Sequence, residues 1–131
     1  IIGTMLDYRD EITATQLKER IFESWGARTT LLHALSKNLK TMKDMRILAP
    51  QQKNGVYKPI VHLVSDKKTV CVLASAILKC SDREYMTWEE IVHHPALFPF
   101  EIEHVTQADL PSCSRLVLER MGDDVVIRIK E

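Results

Sequence analysis

At 131 residues, with 45% hydrophobic and 27% charged residues, the chain has the size of one ordinary domain and the composition of a globular protein, which excludes a disordered or fibrous class. Its longest apolar runs, such as Val70 to Leu78, fall far short of the roughly 20 residues that cross a bilayer, so no membrane span is expected. The formal net charge is zero, but residues 25–59 hold Arg28, Lys37, Lys40, Lys43, Arg46, Lys53 and Lys58 against Asp44, a net of +6 that leaves 11 basic and 17 acidic residues, −6, in the remainder.

The chain opens on Ile1 with no basic segment ahead of an apolar one. This predicts no secretory signal and reads as a trimmed or processed piece of a longer protein. Thr13-Ala14-Thr15-Gln16 has the capping-box pattern, in which the Thr13 hydroxyl accepts from the Gln16 N–H and the Gln16 side chain reaches back. A helix follows to about Ser24, burying Leu17, Ile21 and Trp25, and Gly26 ends it in a tight turn. From Thr29 to about Met45, Leu31, Leu32, Leu35, Leu39, Met42 and Met45 recur at spacings of three and four, the period of a longer amphipathic helix. Thr29, Thr30, His33, Ser36, Lys37, Lys40 and Lys43 fall on its opposite flank, so the basic side faces solvent.

Ile47 and Leu48 begin an extended segment, and Asn54-Gly55 is a hairpin signal. The returning strand is expected over 56–64, with Pro59 confined to an edge or bulge because it lacks an N–H. Lys67 to Lys79 reads as a largely buried helix with Val70, Leu73, Ala74, Ile77 and Leu78 on its core side. Thr87-Trp88-Glu89-Glu90 is a second capping box, opening a short helix that Pro95 stops. Leu116-Val117-Leu118 and Val125-Val126-Ile127 flank Gly122-Asp123-Asp124, the pattern of a terminal hairpin.

Cys71, Cys80 and Cys113 never form a CxxC pair and suit neither a disulfide framework nor a zinc site. They are read as buried free thiols of a protein in a reducing cytosol. His93-His94, without a second ligand pair at metal spacing, is read as an end-of-helix pair. Glu89-Glu90 and Asp123-Asp124 are explained by a helix start and a turn. Trp25, Trp88 and Phe98 are expected as core anchors. Nothing resembles a nucleophile elbow, a phosphate loop or a nuclease cluster of acids with lysine, so the chain is read as non-enzymatic, with no cofactor, no metal and no small-molecule substrate.

A helix, a glycine turn, a longer helix with a basic outer side and then a hairpin is the order of a winged helix-turn-helix, whose second helix enters the major groove N-terminus first. In that frame Arg28, Thr29, Thr30 and His33, with Ser36 and Lys37 a turn further on, are placed to read base edges. Lys40, Lys43, Gln51, Gln52, Lys53, Asn54 and Lys58 are placed for phosphates, which position a protein without specifying sequence. The alternatives are an adaptor whose basic face docks an acidic protein, and a winged-helix transcription regulator.

Trp25-Gly26-Ala27-Arg28-Thr29-Thr30, the basic helix ending in Met45-Arg46-Ile47-Leu48, and His93-His94-Pro95-Ala96-Leu97-Phe98-Pro99-Phe100 ahead of Gly122-Asp123-Asp124-Val125-Val126 resemble the BrxA family of the bacterial BREX bacteriophage-exclusion systems. The resemblance spans the chain from about Thr13 onward. It implies a mainly helical, non-enzymatic, cytoplasmic DNA-binding component that acts beside other BREX defence subunits. Two features depart from the family: a Trp-Gly pair often precedes the hairpin where this chain has Met45 and Arg46, and members usually extend further at the N-terminus. The expected architecture is therefore α+β and predominantly helical. A winged helix-turn-helix occupies residues 1–66, and a helix-rich half ending in a β-hairpin occupies residues 67–131 and packs on it as one compact unit.

Overall fold

A computed structural model, which describes residues 1–130, shows a mixed α/β chain that divides into two compact units, Ile1–Val61 and His62–Glu131. The first unit runs α1 (Ile2–Leu6), β1 (Ile12–Thr13), α2 (Ala14–Trp25), α3 (Thr29–Asp44), β2 (Leu48–Pro50) and β3 (Val56–Pro59). Its three strands form an antiparallel sheet in the order β1-β3-β2, with Ile12 opposite Tyr57 and Leu48 opposite Pro59. Met5, Ile12, Leu17, Leu39 and Leu48 are its buried apolar side chains.

The capping box at Thr13 forms in both directions: the Gln16 N–H donates to Thr13 Oγ1 and the Thr13 N–H donates to Gln16 Oε1, each at 3.1 Å. The next residue ties the helix to the hairpin, since the Ala14 N–H donates to the Gly55 carbonyl at 2.8 Å. At the end of α3 the Ile47 N–H donates to Met42 O and the Arg46 N–H to Lys43 O, at 2.8 and 3.0 Å. This is the Schellman arrangement, and it holds Arg46 in the left-handed region at φ 55°, where glycine is the usual occupant. It turns the chain abruptly into β2.

The hairpin is wider than a two-residue Asn-Gly turn. The Gln51 N–H donates to Val56 O at 2.9 Å and the Val56 N–H to Lys53 O at 3.2 Å, with Gly55 at φ 77°. The loop is therefore Gln52 to Gly55, closed by a left-handed glycine that an L side chain would strain. The returning strand expected over 56–64 is broken in two. Pro59, which cannot donate, ends β3 beyond the reach of β1, and residues 62–64 pair elsewhere.

The second unit contains β4 (His62–Val64), α4 (Lys67–Cys80), β5 (Tyr85–Thr87), α5 (Trp88–Val92), β6 (Phe100–Ile102), β7 (Leu116–Met121) and β8 (Asp124–Ile129), with 3-10 turns at Pro95–Leu97 and Gln107–Ser112. β4 and β6 pair in parallel, and β5-β8-β7 is antiparallel. The boundary consequently falls at Val61/His62 rather than at 66/67, because His62–Val64 takes its partner from Phe100–Ile102. The half expected to be helix-rich is mixed: the expected terminal hairpin forms between β7 and β8, and the short strands β4, β5 and β6 find partners far away in sequence.

Ala74, Ile77 and Leu78 of α4 pack with Met86, Ile91, Leu97, Leu110, Leu116 and Ile127, and Trp88 lies against this cluster. Burying a side chain such as Ile91 or Ile127 stabilises by about 2 kcal/mol. The expected free thiols are corrected here: Cys71 on α4 and Cys113 form a disulfide, with Cα atoms 5.8 Å apart, and Cys80 is a free but exposed cysteine. The bond joins α4 to the segment entering β7, a pairing that three scattered cysteines do not reveal. Trp25 is also corrected. It is 57% exposed, whereas Trp88 and Phe98 are half-buried.

Candidate nucleic-acid interface

Charge separates along the boundary between the units. Ile1–Val61 carries ten Lys or Arg and six acids, a net of +4, while His62–Glu131 carries eight and twelve, a net of −4. All the sequence-predicted contact residues lie in the first unit. Arg28, Thr29, Thr30, His33, Ser36, Lys37, Lys40, Lys43, Gln52, Lys53, Asn54 and Lys58 are each exposed, and Gln51 is half-buried with its amide donating to the Ala49 carbonyl at 3.1 Å.

α3 and its N-cap residue position the first eight of these because the apolar positions of the helix are turned inward: Leu39 is buried and Leu31, Leu32, Leu35 and Met42 are half-buried. At 100° per residue, Thr30, His33, Lys37 and Lys40 cluster at the centre of the opposite side, with Thr29 beside them. Arg28 is the N-cap residue in extended conformation, and its side chain makes no capping bond, which leaves the guanidinium at the outer end of the helix. The same spacing places Asp44 on this side, one turn beyond Lys40. The basic stripe therefore ends in an acid at its C-terminal end.

Ser36 and Lys43 lie on the flank of α3. Lys43 reaches the hairpin: its ammonium sits over the Tyr57 ring, 5.9 Å from the centroid. This contact joins the last turn of the basic helix to the central strand of the sheet. Lys53 and Asn54 occupy the hairpin tip, and Lys58 projects from β3, where its Nζ lies 3.5 Å from Glu11 Oε1. Glu11, just ahead of β1, is the contributor that the charge count did not reveal, because only the β1–β3 pairing carries it to Lys58.

The carboxylates held below their usual range are in the second unit, and each serves a local structural role. The Lys67 ammonium, followed by the Thr106 N–H, pushes Asp109 down to about 2. The Thr87 N–H, then the Arg83 guanidinium, lowers Glu90, the capping partner expected from the sequence. Arg128 lowers Glu119, and the Thr69 hydroxyl and N–H lower Asp66 at the start of α4. These are caps and ion pairs, the arrangement that also perturbs acids away from active sites. His93 Nδ1 lies 3.0 Å from the Glu89 carbonyl at the end of α5, and His94 Nδ1 accepts from the Ala96 N–H at 3.2 Å, capping the start of the 3-10 turn at Pro95–Leu97.

Among the described residues no helix is long and apolar enough to cross a membrane, and no three His, Cys, Asp or Glu side chains gather as metal ligands. No family model matches the chain, and no curated protein or solved structure matches it.

Proposed function

We propose that the chain is a non-enzymatic protein that binds double-stranded DNA. In this reading the first unit is a winged helix-turn-helix, α3 is its recognition helix and the β2–β3 hairpin is its wing. The observation that carries the proposal is the exposure of one basic set on both α3 and the hairpin that follows it, within a unit of net positive charge. The order helix, strand, helix, helix, strand, strand with sheet order β1-β3-β2 supports it, since that arrangement sets a hairpin beside the second helix of a helix-turn-helix.

Arg28, Thr29, Thr30 and His33 would then face base edges, with Ser36 and Lys37 behind them. Lys40, Lys43, Gln52, Lys53, Asn54 and Lys58 would hold phosphates. The resemblance to the BrxA family adds the setting of a bacterial phage-defence system and other BREX subunits as partners. The cytoplasmic location rests on that resemblance alone, because the Cys71–Cys113 bond withdraws the argument from free thiols.

Mobility shift of a random-sequence duplex at several salt concentrations tests the proposal. With six charges on phosphates, the logarithm of the binding constant falls against log salt with a slope of about −5. The double variant Lys37→Glu, Lys40→Glu is expected to lose binding and flatten that slope. Unchanged duplex affinity in the variant overturns the proposal and favours the adaptor that docks an acidic protein.

A further inference from the structure

Trp25 is a large aromatic side chain that the fold does not use. It ends α2, whose inward stripe begins with buried Leu17 and continues through half-buried Ile21. One more step of four residues brings Trp25 onto the same side of the helix, but there the core has stopped and the indole is 57% exposed. The chain turns at Gly26, whose N–H donates to Phe22 O at 2.8 Å, and α3 begins at Thr29. Only Gly26 and Ala27 separate Trp25 from Arg28, so the exposed indole belongs to the short segment that leads into the basic helix.

An exposed tryptophan gains when a partner removes its ring from water, and the neighbouring charge selects an anionic partner. The part of a nucleic acid that matches a flat indole is the face of a base that has left its stack, and stacking of this kind is indifferent to sequence. We infer that Trp25 stacks on an unpaired base next to the site where α3 meets the duplex, so that the favoured ligand is DNA with a frayed, forked or interrupted end rather than a continuous duplex. This inference rests on the DNA-binding reading above. It adds a structural preference that the basic side chains, which grip any phosphate backbone, do not supply.

The experiment compares a blunt duplex with the same duplex carrying a forked, unpaired end. In the wild-type background, Trp25→Ala is expected to weaken binding of the forked DNA about tenfold, to leave the blunt duplex within about twofold, and to be rescued by Trp25→Phe. Trp88 is the second of the two tryptophans. With Trp88→Phe in place, indole fluorescence is expected to be quenched by the forked DNA and to change little with the blunt duplex. Equal losses from both ligands, or loss from neither, would overturn the stacking role while leaving duplex binding intact. Retention of both ligands by Lys37→Glu, Lys40→Glu would instead remove the underlying DNA-binding reading.

Discussion

Glu11 holds Lys58 across the first unit, with 3.5 Å between carboxylate and ammonium, so one of the candidate phosphate-binding cations is partly neutralised by the protein's own acid. An exposed pair of this kind contributes only about 0–1 kcal/mol to stability. Its effect on the surface field is the larger consequence. Glu11→Gln is therefore expected to tighten duplex binding and to steepen the salt dependence by up to about one unit of slope, with urea stability changed by less than about 1 kcal/mol. Weaker binding in Glu11→Gln would mean that the acid positions Lys58 for its phosphate rather than competing for it.

Arg46 occupies the left-handed position that closes α3, at φ 55°. Such a conformation costs an ordinary residue about 1–2 kcal/mol, and glycine returns part of that gain through the greater freedom of its unfolded chain. Arg46→Gly is expected to raise the unfolding free energy by about 0.5–1 kcal/mol in urea titration. A drop instead would show that the Arg46 side chain contributes more through its contacts than its backbone loses.

The Cys71–Cys113 bond leaves one of the three cysteines, Cys80, open to reagent. Alkylation of the native protein is expected to add one group by mass, and alkylation after reduction and unfolding three. The bond closes a loop across a sequence separation of 42 residues. Removing it in Cys113→Ala should lower the stability of the second unit by about 2–4 kcal/mol. Native labelling of all three thiols would contradict the pairing.

Asp109 links the 3-10 turn before β7 to the start of α4 through Lys67, at 2.7 Å. Its carboxyl is pushed down to about 2, below the ordinary value of 3.8, so the unfolded chain takes up this proton first as pH falls. The stabilisation is complete above about pH 4 and disappears as pH drops through about 2. Asp109→Asn should therefore be less stable than the wild type at pH 5 and equal to it near pH 2, as read from thermal melts. A gap that persists at low pH would place the effect in packing instead.

The helices were legible because their signals are local. Thr13 with Gln16 and Thr87 with Glu90 announce their own capping boxes, and Leu31 through Met42 repeat at the helical period within one segment. The terminal hairpin was legible for the same reason, since Gly122 at φ 65° connects strands adjacent in sequence. β1, β4, β5 and β6 were not, because strands of two or three residues carry no period and exist only through partners such as Tyr57, Phe100 and Arg128. For the candidate interface, both the charge and the exposure could be read from the pattern of α3. Trp25 could not, because the stripe it continues outruns the core, and neither could Glu11, which depends on strand pairing.

The two sheets also differ in when they become possible. Every strand pair of the first unit, from Thr13 with Val56 to Leu48 with Pro59, closes before residue 62, whereas Met86 must wait for Ile127 to pair. On a ribosome, where domains form as they emerge, the positively charged unit completes its hydrogen bonding while the acidic one is still being translated. A nascent chain would thus present its cationic helix to any nearby polyanion before the compensating negative half has been synthesised.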